Sequence, residues 1–133
     1  MHRLQALVLA ATLVSATAVA DAGRHVNATL NPVGGSGVGG RVELTALPQG
    51  GTMITVVATG LHPGTGYLSL YYGNGTCELE QYEEDDVIGR YTAGRSGVAT
   101  VTRKVGDDLD EIASVSVRLA EDFSLLACAA VEH

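Results

Sequence analysis

A run of carboxylates is the densest group of side chains able to do chemistry in this chain. Between Cys77 and Ile88 the sequence carries six acidic residues: Glu78, Glu80, Glu83, Glu84, Asp85 and Asp86. Carboxylate oxygens are hard ligands that suit calcium, so one interpretation is a cation site. The spacing follows no calcium-loop template and lacks the central glycine, which favours the other interpretation, a solvated acidic loop.

The histidines are few and scattered. Beyond His2, the chain has His25 near its start, His62 in a turn and His133 as the last residue. A copper site for redox cycling needs several imidazoles held in one geometry, and a serine nucleophile needs a histidine base beside it. This spacing indicates neither arrangement, so we assign no catalytic residue, no metal ligand and no cofactor.

The first 20 residues have the pattern of a secretory signal peptide. Met1–Arg3 is basic, residues 4–20 are uncharged and rich in Leu, Ala and Val, and small residues precede Asp21. The apolar run is too short, and too often interrupted by polar residues, for a transmembrane span. We expect cleavage after about Ala20, a secreted or periplasmic protein, and no membrane anchor.

Cys77 and Cys128 are the only two cysteines of the chain. Export places them in an oxidising compartment, where a disulfide is the usual outcome. Redox-active pairs are generally close in sequence, and two thiols without nearby histidines make a poor zinc site. We therefore predict a structural disulfide between Cys77 and Cys128.

Short strands separated by turns must position these side chains. The strand patterns occupy six stretches: 41–46, 53–58, 67–72, 98–105, 114–119 and 125–131. The best helical candidate is a short turn near Asp107–Ile112. Seven or eight short strands with glycine-rich turns predict an all-β antiparallel barrel or sandwich.

Length and charge limit the domain organisation and the partners. A chain of 133 residues suits one domain, with residues 21–40 as a glycine-rich lead-in and first strand and residues 41–133 as the rest of the barrel. The 8 basic residues are outnumbered by 15 acidic ones. This excess of negative charge argues against a nucleic-acid partner, because phosphate contacts need clustered Lys and Arg.

Three motifs, in order along the chain, resemble the copper/zinc superoxide dismutase family. The turn Gly60–Gly64 and the following Gly66-Tyr67 resemble the family's G-L-x-P-G turn and G-F-H-x-H strand. Residues 89–99 resemble its G-N-x-T-A-x-x-x-G-V-A segment, and Leu126–Val131 resembles its closing R-L-A-C-G-V-I strand. The two cysteines stand at the two places expected in the family. The resemblance implies a flattened Greek-key β-barrel of eight strands.

The family's functional positions carry other residues in this chain. Apolar residues stand at four of them: Leu68 and Leu70 at two copper-binding histidines, Val87 at the zinc-binding aspartate, and Leu125 at the arginine that attracts superoxide. Arg118 or Leu119 stands at the last copper-binding histidine. The resemblance therefore implies the fold without the copper and zinc ligands.

Three functions follow as hypotheses. The first is a non-catalytic, pseudoenzyme-like domain that acts as a binding or structural module, with an unknown protein partner or with a second copy of itself. The alternative is a divergent superoxide dismutase, a metal-dependent oxidoreductase that binds copper or zinc through unconventional ligands such as the acidic loop with His62. The third is a small secreted β-sandwich that is similar to the family only in its turns.

Leu68 and Leu70 are the candidate interaction patch. Strand alternation places both on one face of their strand, with Tyr67, Ser69 and Tyr71 on the other, and the resemblance implies that the face of the leucines is the outer one. If the short acidic loop leaves the leucines uncovered, they form an apolar patch typical of a partner surface. If the loop folds over them, they form a small second core.

Overall fold

The computed structural model describes residues 23–133, and the predicted signal peptide at residues 1–20 lies outside them. The described chain forms eight strands and two single 3₁₀ turns, at Glu84–Asp86 and Leu109–Glu111. The strands are β1 (His25–Pro32), β2 (Gly39–Ala46), β3 (Thr52–Thr59), β4 (Gly66–Tyr72), β5 (Val87–Thr92), β6 (Ala99–Val105), β7 (Ser114–Leu119) and β8 (Leu125–Ala130). The prediction of an all-β protein is confirmed.

The eight strands make one antiparallel sheet in the order β5-β4-β7-β8-β1-β2-β3-β6. The two end strands, β5 and β6, lie side by side and almost close the sheet into a barrel. Across residues 23–133 they share no backbone ladder. The guanidinium of Arg103 on β6 instead donates to the carbonyl of Val87 on β5.

The barrel interior follows from period-two alternation in β2 and β3. Val42 and Leu44 on β2 are fully buried, as are Ile54 and Val56 on the paired strand β3. Their neighbours in sequence point to the outside of the barrel, where β2 and β3 are half-buried or exposed. Burying each such side chain stabilises the fold by about 1.5–3 kcal/mol.

Three glycines of the predicted lead-in lie in the turn between β1 and β2. Gly34, Gly35 and Gly37 all have positive φ, which other residues adopt rarely. The hydroxyl of Ser36 donates to the carbonyl of Leu126, at 2.6 Å, and fixes the turn against β8.

Strand β4 is buried on both of its faces, unlike β2 and β3. Tyr67 and Tyr71 point into the barrel interior, whereas Leu68, Leu70 and Tyr72 point to the outside and pack in a second, smaller apolar cluster. An outer face that is buried needs a cover. The loop between β4 and β5 and the turn between β7 and β8 supply it.

Candidate functional site: the covered outer face of β4 and β7

The disulfide predicted from the sequence is present. Cys77 and Cys128 are joined with a Cα–Cα distance of 6.0 Å. The bond ties the β4–β5 loop to strand β8. Cys77 is fully buried and Cys128 is half-buried.

Leu68 and Leu70 do not form an exposed patch, so that interpretation of the sequence is corrected. Leu68 is 1% exposed and Leu70 is 0% exposed. They pack with Val87 and, more peripherally, with Tyr82 and other half-buried residues of the second cluster. The loop is short, but it crosses the outer face and covers both leucines. Ile88, the neighbour of Val87 in sequence, lies in the barrel interior instead.

The covering loop, residues 73–86, is here called the lid loop. Its first turn is set by Asn74, whose Oδ1 accepts hydrogen bonds from the backbone N–H groups of Thr76 and Glu78. Its middle reaches the β7–β8 turn, residues 120–124, where the ring centroid of Tyr82 lies 5.6 Å from that of Phe123. The lid loop therefore passes over β7 from one end of the strand to the other.

The acidic side chains of the lid loop face solvent. Glu78, Glu80, Glu83 and Glu84 are exposed, as is Asp85. The hydrogen bond from Arg90 to Glu84 lowers the pKa of that carboxyl, although both side chains are exposed. The observed burial agrees with the interpretation of a solvated loop.

Arg118 lies beneath this cover and is only 6% exposed. Its guanidinium donates from Nε to the hydroxyl of Tyr72 at 2.9 Å, and from its two Nη atoms to the carbonyls of Cys77 at 2.7 Å and Phe123 at 2.6 Å. Within residues 23–133 Arg118 has no carboxylate partner. A buried charge without a counter-ion is costly unless hydrogen bonds compensate it, so these three acceptors are essential to its placement.

The two carbonyls that Arg118 binds belong to residues with unusual backbone conformations. Cys77 has φ of 56° and Phe123 has φ of 64°. In the described part of the chain they are the two non-glycine residues with positive φ. Such conformations persist when the surrounding structure enforces them. Here both strained residues present their carbonyl oxygens to the same guanidinium.

Serine hydroxyls complete the polar layer of the outer face. Ser116 and Tyr72 share a hydrogen bond of 2.7 Å between their hydroxyls, and the hydroxyl of Ser114 accepts from the backbone N–H of Cys77 at 3.1 Å. Among the described residues, every buried side-chain nitrogen and oxygen has a partner. Each polar side-chain atom of the layer therefore has at least one hydrogen-bond partner within the fold.

The three described histidines occupy separate hydrogen-bonding environments. His25 bonds with Thr45 Oγ1 at 2.7 Å, and the exposed turn residue His62 donates its backbone N–H to the Tyr67 hydroxyl at 2.8 Å. His133 donates from Nε2 to the carbonyl of Ile112 and accepts at Nδ1 from Arg24. The structure does not bring these imidazoles together.

Among residues 23–133, one group of carboxylates is close enough to share an ion, and it lies outside the predicted acidic run. Asp108, Asp110 and Glu111 surround the 3₁₀ turn expected near Asp107–Ile112, and all three are exposed. Asp108 Oδ1 accepts from the backbone of Gly51 at 2.9 Å, and Glu111 Oε1 accepts from the backbone of Asp108 at 3.0 Å. Their grouping is explained by this capping arrangement.

A cleft of 440 Å³ lies beside the lid loop and is separate from the leucines. Tyr71 lines it, together with acidic side chains from the loop and Asp107, and with Arg103 and Lys104 from β6. Burial and the charge of Asp107 raise the pKa of the Tyr71 hydroxyl well above its usual value. Loss of the phenolic proton is therefore less favourable for Tyr71 than for a free tyrosine.

The other apolar residues singled out by the resemblance pack in one of the two apolar clusters. Val87 is buried in the second cluster, and Leu125 packs half-buried against it. Leu119 packs half-buried against the main core, so Arg118 is the residue of this pair that faces the leucines. Its cross-strand partner is Leu68.

Sequence reasoning did not find the network around Arg118. The signal was present in two neighbouring strands: β4 is apolar on both faces, and the outward positions of β7 are two serines and one arginine. A strand with two apolar faces needs a cover on its outer side. A charged residue under the same cover needs buried hydrogen-bond acceptors, but the pairing of β7 with β4 and the identity of those acceptors come only from the structure.

Comparison of the chain with models of known protein families and with curated proteins gives no match. In the part of the chain that the structure describes, no helix is long and apolar enough to cross a membrane.

Proposed function

We propose that this chain is a secreted or periplasmic, non-catalytic module that binds a protein partner or a second copy of itself. We propose further that its barrel is of the Greek-key type found in the copper/zinc superoxide dismutases. The observation that carries the proposal is the filling of the outer face of β4 and β7. Leu68, Leu70 and Arg118 occupy it, and the disulfide-tied lid loop covers it.

The strand order supports the barrel type. The chain runs through β1, β2 and β3, crosses to β4 and β5, and returns to place β6 beside β3. Strand β7 then lies beside β4, and β8 lies beside β1. Such non-consecutive neighbours are typical of Greek-key connections. The cysteine positions that contribute to the resemblance are joined in a disulfide.

The chemistry of the covered face supports a non-catalytic role. Copper that cycles between two oxidation states needs imidazole or softer ligands. Leucine side chains offer no ligand atom, and the Arg118 guanidinium is a permanent cation with donors only. The acceptors that Arg118 binds, the hydroxyl of Tyr72 and the carbonyls of Cys77 and Phe123, are engaged by its guanidinium, and the Tyr72 hydroxyl also bonds with Ser116.

The distribution of charge supports a protein partner over a nucleic acid. Ten of the fifteen acidic residues lie in the lid loop and in the β6–β7 connection, residues 106–113. Tyr72 and Ser114 are cross-strand partners, so the lid loop begins at the end of the barrel where the β6–β7 connection lies, and Glu83, Asp85 and Asp86 of the loop line a cleft with Asp107. Nucleic acid is repelled from this end because its phosphates carry the same sign of charge.

Metal analysis of the purified, oxidised mature protein tests the proposal against the divergent-enzyme alternative. The protein is exposed to copper and zinc, desalted and assayed for bound metal and for superoxide dismutation, with a copper/zinc dismutase as the positive control. We expect far less than one metal per chain and no activity above background. One copper per chain, with activity that is lost on chelation and in His62→Ala, would establish the alternative instead.

Self-association is the second part of the test. Sedimentation velocity over a hundredfold range of protein concentration separates a monomer from a dimer. A monomer at all concentrations removes the second copy as the partner and leaves a different protein in that role.

A further inference from the structure

We infer that the lid loop and the β7–β8 turn form one cooperative lid over Leu68 and Leu70, latched by the buried guanidinium of Arg118. This inference goes beyond the proposed function and does not depend on it, because it concerns only how two loops are held. Opening of such a lid would uncover both leucines at once.

The polar part of the latch joins two segments that are far apart in sequence. Arg118 binds the carbonyl of Cys77 in the lid loop and the carbonyl of Phe123 in the β7–β8 turn, through different Nη atoms. A planar guanidinium can hold two acceptors in fixed directions, which lysine cannot do. Neither carbonyl can move away without leaving a charged, buried donor unpaired.

The backbone of both segments is shaped for this contact. Cys77 and Phe123 adopt positive φ, a conformation that costs free energy for side chains other than glycine. The hydrogen bonds to Arg118 offset this cost in the closed lid. Without the guanidinium, both residues would relax toward ordinary backbone angles, and the two segments would loosen together.

An apolar contact makes the two segments a single unit. The rings of Tyr82 and Phe123 lie 5.6 Å apart and tilted by 39°, and both pack on the second cluster. The disulfide holds the lid loop only at Cys77, and residues 78–81 beyond it are exposed. The disulfide therefore does not restrain Phe123, whereas Arg118 and Tyr82 do.

Amide hydrogen exchange of the oxidised protein, measured by NMR, tests the latch. The reporters are the amides of Cys77, bonded to Ser114 Oγ, and of Phe123, bonded to the carbonyl of Leu119. In Arg118→Met both amides should exchange faster by the same factor, at least about tenfold, because hydrogen bonds to a charged donor are lost. The amide of Val56 in the β2–β3 ladder reports on the barrel and should change less.

Arg90→Met is the matched control. Arg90 is an exposed arginine that binds Glu84 at the far end of the lid loop, so its loss should leave the Phe123 amide unchanged. Acceleration of only one reporter in Arg118→Met, or of neither, would overturn the inference.

Exchange in the wild-type protein keeps the test decisive if Arg118→Met does not fold. At low urea concentrations, the Cys77 and Phe123 amides should show the same opening free energy and the same urea dependence, both below those of Val56. Different opening free energies for the two reporters would show that the segments open independently, contrary to the inference.

Discussion

Arg118 donates from Nε to the hydroxyl of Tyr72 at 2.9 Å, and its guanidinium carbon lies 5.9 Å from the centre of the same ring. A hydroxyl that accepts from Arg118 can donate its own proton onward to Ser116, which lies 2.7 Å away. The tyrosine thus links a buried cation to the serine row of β7. Its ring, at the same time, packs in the apolar cluster with the two leucines.

Removing this hydroxyl should destabilise the protein. In Tyr72→Phe the Nε–H of Arg118 loses its acceptor while it remains buried, which costs about 1–3 kcal/mol. Urea denaturation measures the change in the free energy of unfolding. Tyr82→Phe is the control, because Tyr82 is half-buried nearby and contributes mainly ring contacts. Equal stability of both variants would contradict the role given to the Tyr72 hydroxyl.

Truncating the covered leucines should lower stability in the way that core mutations do. Leu68→Ala and Leu70→Ala should each cost about 2–5 kcal/mol, because each removes buried hydrocarbon and leaves a cavity. Leu79→Ala in the lid loop is the control, since Leu79 is 38% exposed and should change stability little. Unchanged melting temperatures with weaker self-association would instead indicate that the leucines serve an interface.

The disulfide should contribute substantially to stability. It closes a segment whose ends are 51 residues apart, so in the chain-entropy model its loss in Cys77→Ala/Cys128→Ala costs about 4 kcal/mol. Reduction of the disulfide in the wild-type protein should likewise lower the urea midpoint of unfolding. Two free thiols per chain in the denatured, unreduced protein would refute the pairing.

The tyrosines should make the protein sensitive to alkali. Burial raises the pKa of Tyr91 to about 12, against 10.0 for the free side chain, and raises that of Tyr71 as well. The folded state therefore keeps protons that the unfolded state releases, so stability is full below pH 10 and falls as the pH rises toward 12. Urea midpoints at several alkaline pH values measure the loss, which Tyr91→Phe should reduce. If Tyr91→Phe lost as much stability at alkaline pH as the wild-type protein does, the assignment to Tyr91 would be contradicted.

The strands were predictable where polar and apolar residues alternate, even though both faces of β7 are buried in the structure. Alternation of Ser114, Val115, Ser116 and Val117 predicted β7 with the bounds that the structure has. Strand β5 was harder, because its first residues, Val87 and Ile88, follow the acidic run without a turn signal. They are nevertheless buried on opposite sides of the sheet, Val87 against the leucines and Ile88 in the barrel interior.

The covered site was less predictable than the strands. Strand alternation correctly placed Leu68 and Leu70 on one face, but it could not decide between an exposed patch and a second core. That choice depends on where a loop of fourteen residues, 73–86, crosses the sheet. The crossing depends on tertiary hydrogen bonds, such as those from Arg118 to Cys77 and Phe123, which no local sequence pattern encodes.

The contact between β5 and β6 has a consequence for aggregation. These are the two end strands of the sheet order, so in an open sheet each would present unpaired backbone groups that could template pairing with another chain. In this barrel each edge shields the other: Gly89 on β5 has no side chain, so Val101 on β6 can approach it closely. A larger residue at position 89 would collide with Val101, so we expect it to push the edges apart and expose backbone groups that can pair with another chain.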